Sequence, residues 1–186
     1  MFKQARNEAR LTLEQASFRI PCGRRNLCKY EAGQVIPGPD VVLGMSRAYR
    51  RPEMTQIYCR EFCAIGREYG YDYLDAVSLD PMTVLAKLGQ ELHEAEEVYS
   101  KMVYLAVNKR SREDFTAEEW EEFLTCALEL LDVEHNVEAF KISLGRWCDE
   151  SVVNLIRRHN EKCLARGYVR PKQTKKEAAL AMAATT

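Results

Sequence analysis

The sequence predicts an all-α protein. Apolar residues recur every three or four positions along most of the chain, which is the period that places them on one face of a helix. Few runs alternate apolar and polar residues with the β-branched enrichment of a half-buried strand. Proline and glycine divide the periodic runs into segments of helical length. We therefore expect helices throughout and no sheet.

The first two helices follow from local signals near the N-terminus. A short amphipathic segment covers residues 2–9. Thr12 is followed three residues later by Gln15, a pair that can form a capping box at the start of a second helix. This helix is expected to run to about Arg19, because Pro21 then breaks it.

Three further helices are expected before residue 66. The third covers residues 24–31 and is followed by Gly33, which can adopt the positive φ angle common after a helix. Asp40 is predicted to cap a fourth helix over residues 41–49. Pro52 suits the first turn of a fifth helix, which is expected to continue to residue 65.

The second half of the chain is predicted to contain long helices. After a linker over residues 66–80, a helix of roughly 27 residues is expected to start at Pro81. Thr116 and Glu119 form a second candidate capping box. The helical period then continues to about residue 165, with a break expected near residues 132–136. We predict a domain over residues 1–65, a helical hairpin or bundle over 81–165, and a flexible basic and alanine-rich tail over 166–186.

Charge is distributed unevenly along the chain. Residues 1–67 carry a net charge of +6, residues 68–150 carry −13, and residues 151–186 carry +6. A basic N-terminal region followed by an acidic region is typical of a module that binds a polyanion and is joined to a different domain. An ordinary fluctuation of charge is the alternative interpretation.

Three polar residues stand together at the start of the third helix. Arg24, Arg25 and Asn26 follow the Pro21–Gly23 break, whereas Leu27 and the residue one turn after it, Tyr30, are expected to face the core. In a helix-turn-helix, the second helix enters the major groove and its N-terminal residues reach the base edges. Arginine can pair with guanine and asparagine with adenine. We therefore predict that Arg24, Arg25 and Asn26 contact DNA bases.

The segments "ARNEARLT" and "KYEAGQVIPGPDVV" resemble the lambda-repressor-like, XRE-type helix-turn-helix family, over about residues 1–65. The resemblance implies a five-helix DNA-binding domain in which Arg24, Arg25 and Asn26 occupy the base-reading positions. It also implies phosphate contacts from Thr12, Lys29 and Gln34.

The chain departs from this family at three positions. Leu13 stands where the family usually has Gln, Pro21 replaces the usual Gly of the turn, and Gly23 stands where Ser or Thr usually caps the third helix. These changes are compatible with the fold, but they could weaken or shift DNA recognition.

The resulting hypothesis is a sequence-specific regulator of transcription that binds double-stranded DNA, of the bacterial or phage and mobile-element type. A homodimer through residues 81–165 would double the base contacts, and this region is also a possible site for a protein partner. The alternative is a protein-interaction adaptor on a degenerate helix-turn-helix scaffold. The charged N-terminus lacks the apolar stretch of a signal peptide, and no run of 18 apolar residues occurs. We expect a cytoplasmic protein without membrane contact.

Catalysis and metal binding have weak support in the sequence. Cys59 and Cys63 lie four residues apart, as do His159 and Cys163, a spacing that zinc could use. Two buried thiols facing the core of the fifth helix are the favoured interpretation of the first pair. The sequence contains no glycine-rich phosphate loop and no nucleophile motif. We expect neither an enzyme nor a bound cofactor or metal.

Overall fold

The computed structural model describes residues 1–147 and 152–170. Within these ranges the chain forms α-helices, one short 3₁₀ turn and connecting loops, and it contains no strand, so the predicted all-α class is confirmed. None of the helices in these ranges is long and apolar enough to cross a lipid bilayer. The chain divides into two compact units, Met1–Asp149 and Glu150–Thr186, which we describe separately. The tail predicted over 166–186 lies mostly outside the described residues, and the predicted domain boundary near 66–80 stays a prediction.

The helices of the first unit have the following bounds: α1 Phe2–Glu8, α2 Leu13–Arg19, α3 Arg24–Glu31, α4 Pro39–Tyr49, α5 Glu53–Phe62, α6 Ala64–Tyr69, α7 Pro81–Ala106 and α8 Ala117–Trp147. The 3₁₀ turn Arg112–Asp114 lies between α7 and α8. In the second unit, α9 spans Val152–Ala165.

Both predicted capping boxes are confirmed. At the start of α2, the backbone N–H of Gln15 donates to Oγ1 of Thr12 at 3.1 Å, and the N–H of Thr12 donates to Oε1 of Gln15 at 2.9 Å. At the start of α8, Glu119 and Thr116 exchange the equivalent bonds at 3.2 and 2.9 Å. These bonds satisfy N–H groups that the first helical turn leaves without partners.

The predicted ends of α3 and α7 are also confirmed. Gly33 has a φ angle of +70°, the left-handed conformation that glycine adopts without a steric cost. α7 begins at Pro81, and Oδ2 of Asp80 accepts the N–H groups of Met82 and Thr83 at 3.1 Å. The helix has 26 residues, close to the expected length.

The predicted start of α4 was wrong. The helix begins at Pro39 with Gly38 as its N-cap residue, and Asp40 lies in the first turn. The fixed φ angle of proline suits the first helical position, so the helix begins before the residue that was expected to cap it.

The predicted length of α5 was also wrong. The helix ends at Phe62, because Cys63 adopts an extended conformation with φ −88° and ψ 128° before α6 begins. The two helices come very close here, since a Cβ atom added to Gly66 would lie 2.1 Å from the carbonyl oxygen of Cys59. Gly66 therefore permits the sharp turn that ends α5.

The break expected near residues 132–136 does not occur, and α8 is one helix of 31 residues. Contacts with the segment before α7 stabilise this region. The rings of Tyr71 and His135 stack with centroids 4.7 Å apart, and Nε2 of His135 lies 2.9 Å from the carbonyl oxygen of Asp72. Tyr71 also donates to Glu134 at 3.0 Å. These tertiary contacts outweigh the weak local helix preference of a polar stretch.

The core of the first five helices is small and apolar. Its buried members are Ala5, Ala16, Ile20, Leu27, Met45, Tyr49 and Met54. Leu27 is completely buried, as expected from the sequence, and Tyr30 packs against this cluster from its edge. Burial of such side chains contributes about 1.5–3 kcal/mol each for the larger ones.

α7 packs along α8, and the two helices are joined by residues 107–116. We call them the α7–α8 pair. Leu79, Val84, Ala139 and Ile142 form a second buried cluster at one end of the pair. At the same end, Gln56 of α5 donates to Glu138 of α8 at 2.9 Å, so that polar contacts connect the pair to α5.

Candidate nucleic-acid interface

α2 and α3 are joined by a short extended turn over residues 20–23. Ile20 and Gly23 both have β-region dihedral angles, with ψ values of 142° and 153°. Gly44 of α4 lies directly beneath the turn, since a Cβ atom added there would be 2.5 Å from Cδ of Pro21. Ile20 is buried beside it. The turn is thus held against α4, and this fixes where α3 begins.

Arg24, Arg25 and Asn26 form the first turn of α3, and all three are exposed. The next residue, Leu27, is 0% exposed. Within the described ranges, none of the three polar side chains takes part in an ion pair or a side-chain hydrogen bond. The structure therefore brings the three predicted base-contacting residues together on solvent-facing positions.

Two arginines in this first turn are electrostatically unfavourable for α3 itself. The N-terminus of a helix carries a partial positive charge, and cations there cost about 0.3–1 kcal/mol each. No acidic residue occurs in the first turn, and the N-cap residue Gly23 supplies no side-chain hydrogen bond. An external anion at this position would relieve the repulsion and could accept hydrogen bonds from the free N–H groups.

The three predicted phosphate contacts have different environments. Thr12 is exposed, and its hydroxyl oxygen is used by the capping box of α2. Lys29 is half-buried in the last turn of α3, where a cation is favourable for the helix. Gln34 is exposed in the loop, and its N–H donates to the carbonyl oxygen of Lys29 at 3.0 Å. No bond in the described part of the chain occupies the side chain of Lys29 or Gln34.

The far end of α3 is fixed by an ion pair that the sequence analysis missed. Nε and Nη2 of Arg6 donate to the two carboxylate oxygens of Glu31 at 2.6 and 2.9 Å, and Nη1 donates to the carbonyl oxygen of Leu11 at 2.7 Å. Both side chains are almost fully buried. The hydrogen bond to Glu31 raises the pKa of Arg6 above its ordinary value. Arg6 thus positions α3 and is not available to DNA.

Cys28 is a further residue on the exposed surface of α3 that the sequence analysis did not single out. It lies four residues after Arg24 and three after Arg25, and such spacings place side chains on the same helix face. Helical spacing alone could have identified it. Its position makes it a neighbour of the candidate interface.

The cysteines of α5 do not form the expected pair of buried thiols, because α5 ends before Cys63. Cys59 is exposed and Cys63 is half-buried. The backbone N–H groups of Gly66 and Ile65 lower the pKa of the Cys63 thiol below its ordinary value. Burial of part of the side chain, together with the neighbouring Cys63, raises the pKa of Cys59.

Two other clusters have the composition of metal ligands. In α9, Nε2 of His159 lies 3.4 Å from Sγ of Cys163. In the α7–α8 pair, Glu91, Glu129 and Asp132 bring one carboxylate oxygen each within 4.8 Å of the others. Glu91 is already paired with Lys87, which neutralises part of this charge. The first cluster supplies two candidate ligand atoms and the second supplies three.

Comparisons with known proteins assign no family to the chain. No family model matches it. No curated protein and no solved structure matches it either. The function is therefore inferred from the residues themselves.

Proposed function

We propose that this protein is a sequence-specific, double-stranded DNA-binding regulator of transcription, of the bacterial or phage and mobile-element type. In this proposal α1–α5 constitute a helix-turn-helix domain of the lambda-repressor-like kind, and α3 enters the major groove. Arg24 and Arg25 would pair with guanine, and Asn26 with adenine. Lys29, Gln34 and Thr12 would contact phosphates and set the register of the helix.

One observation carries the proposal. The first turn of α3 presents two arginines and an asparagine to solvent without protein partners, on a helix end that is already positive. Such an arrangement opposes folding slightly and favours an anionic ligand. Leu27 and Tyr30 hold the opposite face of α3 against the core, so the polar residues of the first turn face solvent.

Three arginines elsewhere in the N-terminal region are already paired with acidic side chains. Arg6, Arg51 and Arg60 form ion pairs with Glu31, Glu8 and Asp72, respectively. Arg24 and Arg25 are not among the paired residues. The unpaired positive charge of the N-terminal region therefore includes the candidate interface and extends beyond it. Further cations outside the ion pairs of the described residues include Lys3, Arg10, Arg19 and Arg47.

The experiment that tests the proposal is selection of random duplex DNA on the purified full-length protein, followed by sequencing. Enrichment of a defined half-site supports base recognition. Absence of enrichment from protein with a helical circular dichroism spectrum rejects it. Affinity for the selected site should fall steeply as salt rises, because phosphate contacts release counterions.

We further propose a homodimer through residues 81–165. Two copies of α3 would then bind two half-sites, about 34–36 Å apart for one helical turn. A selected sequence with two-fold symmetry supports this arrangement, and light scattering of the free protein measures its mass. A monomer that binds a single, asymmetric site would reject it.

A second candidate function is a protein-interaction adaptor. It is favoured by the α7–α8 pair, which has exposed apolar side chains on more than one face and a strongly acidic surface. DNA selection distinguishes the two functions, because an adaptor would enrich no sequence.

A further inference from the structure

α9 holds a histidine and a cysteine in direct contact. Nε2 of His159 lies 3.4 Å from Sγ of Cys163. The two residues are four positions apart, a spacing that places them on the same face of the helix. His159 is exposed and Cys163 is half-buried. A ligand in solvent can therefore reach both side chains.

The distance between these two atoms fits one edge of a tetrahedral zinc site. Zinc binds thiolate sulfur at about 2.3 Å and imidazole nitrogen at about 2.0–2.1 Å. At a bond angle of about 109°, these bonds separate the sulfur from the nitrogen by about 3.6 Å. The observed 3.4 Å corresponds to an angle of about 103° at the metal. The pair is thus spaced to chelate zinc with little movement of either side chain.

The charged side chains of α9 leave this face open. Arg157 and Glu161 form an ion pair with each other. At about 100° per residue, they lie about 140–180° around the helix from the midpoint between His159 and Cys163. Among the residues that the structure describes, neither His159 nor Cys163 takes part in an ion pair. A metal ion at the pair would therefore displace only the hydrogen bond between the thiol and the imidazole.

The pair supplies half of the ligands that zinc needs. Structural zinc sites are almost always four-coordinate and are built mainly from cysteine and histidine. A second copy of the chain, related by a two-fold axis, would present the same two atoms to the same point. The four ligands would then be two thiolates and two imidazoles, and this donor set in a tetrahedral arrangement is typical of zinc.

Apolar residues share the face that holds the pair. Val152, Ile156, His159 and Cys163 are separated by four, three and four residues, which is the spacing of a single helix face. None of the residues in α9 is buried, and Ile156 is 48% exposed. Contact between two copies at the metal would shield Val152 and Ile156 from water.

The same contact would be weak without a metal. α9 has 14 residues and is therefore only about 21 Å long. Residues 152–165 contain three basic side chains and one acidic side chain, a net charge of +2. Two copies of the helix would accordingly repel each other. Association through α9 should thus depend on coordination of the metal.

We propose that His159 and Cys163 from two copies of the chain bind one zinc ion, which joins the two α9 helices. Each thiol loses its proton as the bond from sulfur to zinc forms, so one Zn²⁺ releases two protons, while each neutral imidazole binds through Nε2. The sequence analysis expected no metal, because spacing alone does not show that the two side chains meet. The inference adds a metal-dependent contact to the homodimer proposed through residues 81–165, and it does not depend on DNA binding.

The test titrates zinc into reduced, metal-free, full-length protein in competition with a chromophoric chelator. We expect saturation at one zinc ion per two chains. Cobalt(II) in place of zinc should give the intense visible absorption of a tetrahedral site and a charge-transfer band from thiolate to metal. Light scattering with and without zinc measures the mass. Zinc should increase the mass if the metal-free chain is a monomer, and a dimer that forms without zinc should still bind one zinc ion per two chains.

Matched variants locate the site. His159→Ala and Cys163→Ser should each lower the zinc affinity by about 100-fold or more, since loss of a residue that merely supports a ligand already costs about 10–100-fold. His93→Ala removes another exposed histidine, on α7, and Cys28→Ser removes an exposed thiol on α3. These two controls should change the affinity by less than about twofold. Circular dichroism verifies the helical fold, and Cys163→Ser provides the test if His159→Ala does not fold.

Three results would overturn the proposal. Saturation at one zinc ion per chain would mean that each copy completes its own site. A loss of affinity in Cys59→Ser as large as that in Cys163→Ser would assign ligands to the end of α5. Equal zinc affinity in His159→Ala and His93→Ala would show that the metal binds to other side chains.

Discussion

The guanidinium group of Arg146 in α8 donates a hydrogen bond of 2.8 Å to Oε1 of Glu53, the first residue of α5. Glu53 is 1% exposed, and Arg51 donates to the same carboxylate. One buried acid thus joins the core of α1–α5 to the α7–α8 pair. The folded protein can hold a charged carboxylate in this buried position because arginines pair with it. An unpaired buried charge would strongly destabilise the fold.

Replacement of Glu53 tests this connection. Glu53→Ala should lower the free energy of unfolding by about 1–3 kcal/mol, less than for a fully buried pair, because both arginines are partly exposed and can be solvated. Urea denaturation followed by circular dichroism measures the change. In a double-mutant cycle with Arg146→Ala, the two effects should fail to add by about 0.5 kcal/mol or more. Additive effects would show that the two side chains do not stabilise each other.

Substitutions in α3 test the assigned DNA contacts. Arg24→Ala should cost about 1–3 kcal/mol of binding free energy at the selected site and relax the preference at one base pair. Lys29→Ala should instead weaken binding to all sequences by a similar factor, because phosphate contacts carry no sequence information. Anisotropy titrations with selected and random duplexes measure both. Identical behaviour of the two variants on the two DNAs would contradict the assignment of Arg24 to a base.

Two helical glycines should respond in opposite directions to alanine. In Gly44→Ala, the new Cβ atom would lie 2.5 Å from Cδ of Pro21, and separation of α4 from the turn should cost about 1–3 kcal/mol of stability. Gly89 of α7 has no other atom within 4 Å of the added Cβ position. Gly89→Ala should therefore stabilise the protein by about 0.5–1 kcal/mol through its helix preference. Thermal or urea unfolding of both variants provides the comparison, and loss of stability in Gly89→Ala would indicate contacts that the described structure lacks.

The thiols at the end of α5 should differ in their reaction with iodoacetamide. Only the thiolate reacts, and the pKa of Cys63 is lowered while that of Cys59 is raised. The rate of Cys63 alkylation should therefore reach its midpoint at a lower pH than that of Cys59, as measured by peptide mass spectrometry. In Cys63→Ser, the midpoint of Cys59 should move down, because the charge that opposes its ionisation is gone. The reverse order of the two midpoints would contradict the described geometry.

Local chemistry was sufficient to predict many helix ends. Some residues begin or end a helix through hydrogen bonds or dihedral angles that involve only near neighbours in the sequence, so their roles can be inferred without the fold. These residues are Thr12, Gly33, Pro81 and Thr116. The exposure of Arg24, Arg25 and Asn26 was also predictable, since Leu27 and Tyr30 define the buried face of the helix by their spacing.

The remaining features depend on residues that are far apart in the sequence. Arg6 and Glu31 are separated by 25 positions, and Glu53 and Arg146 by 93. No periodicity identifies such pairs, and the net charge of +6 over residues 1–67 includes Arg6 without indicating that it is paired. The continuity of α8 through residues 132–136 has the same origin, because it depends on contacts with Tyr71 and Asp72. The end of α5 depends on the close approach that Gly66 allows.

The length of α8 has a mechanical consequence. Its C-terminal part is anchored at Glu53, next to the core that supports α3, whereas Leu124 lies 22 residues away, about 33 Å along a single unbroken helix. Because α7 packs along α8, the two helices would move together, and a tilt of the pair by about 5° at this anchor would displace its distant end by about 3 Å. Forces applied at Leu124 and Leu128 would accordingly be transmitted as torque to the first turn of α5.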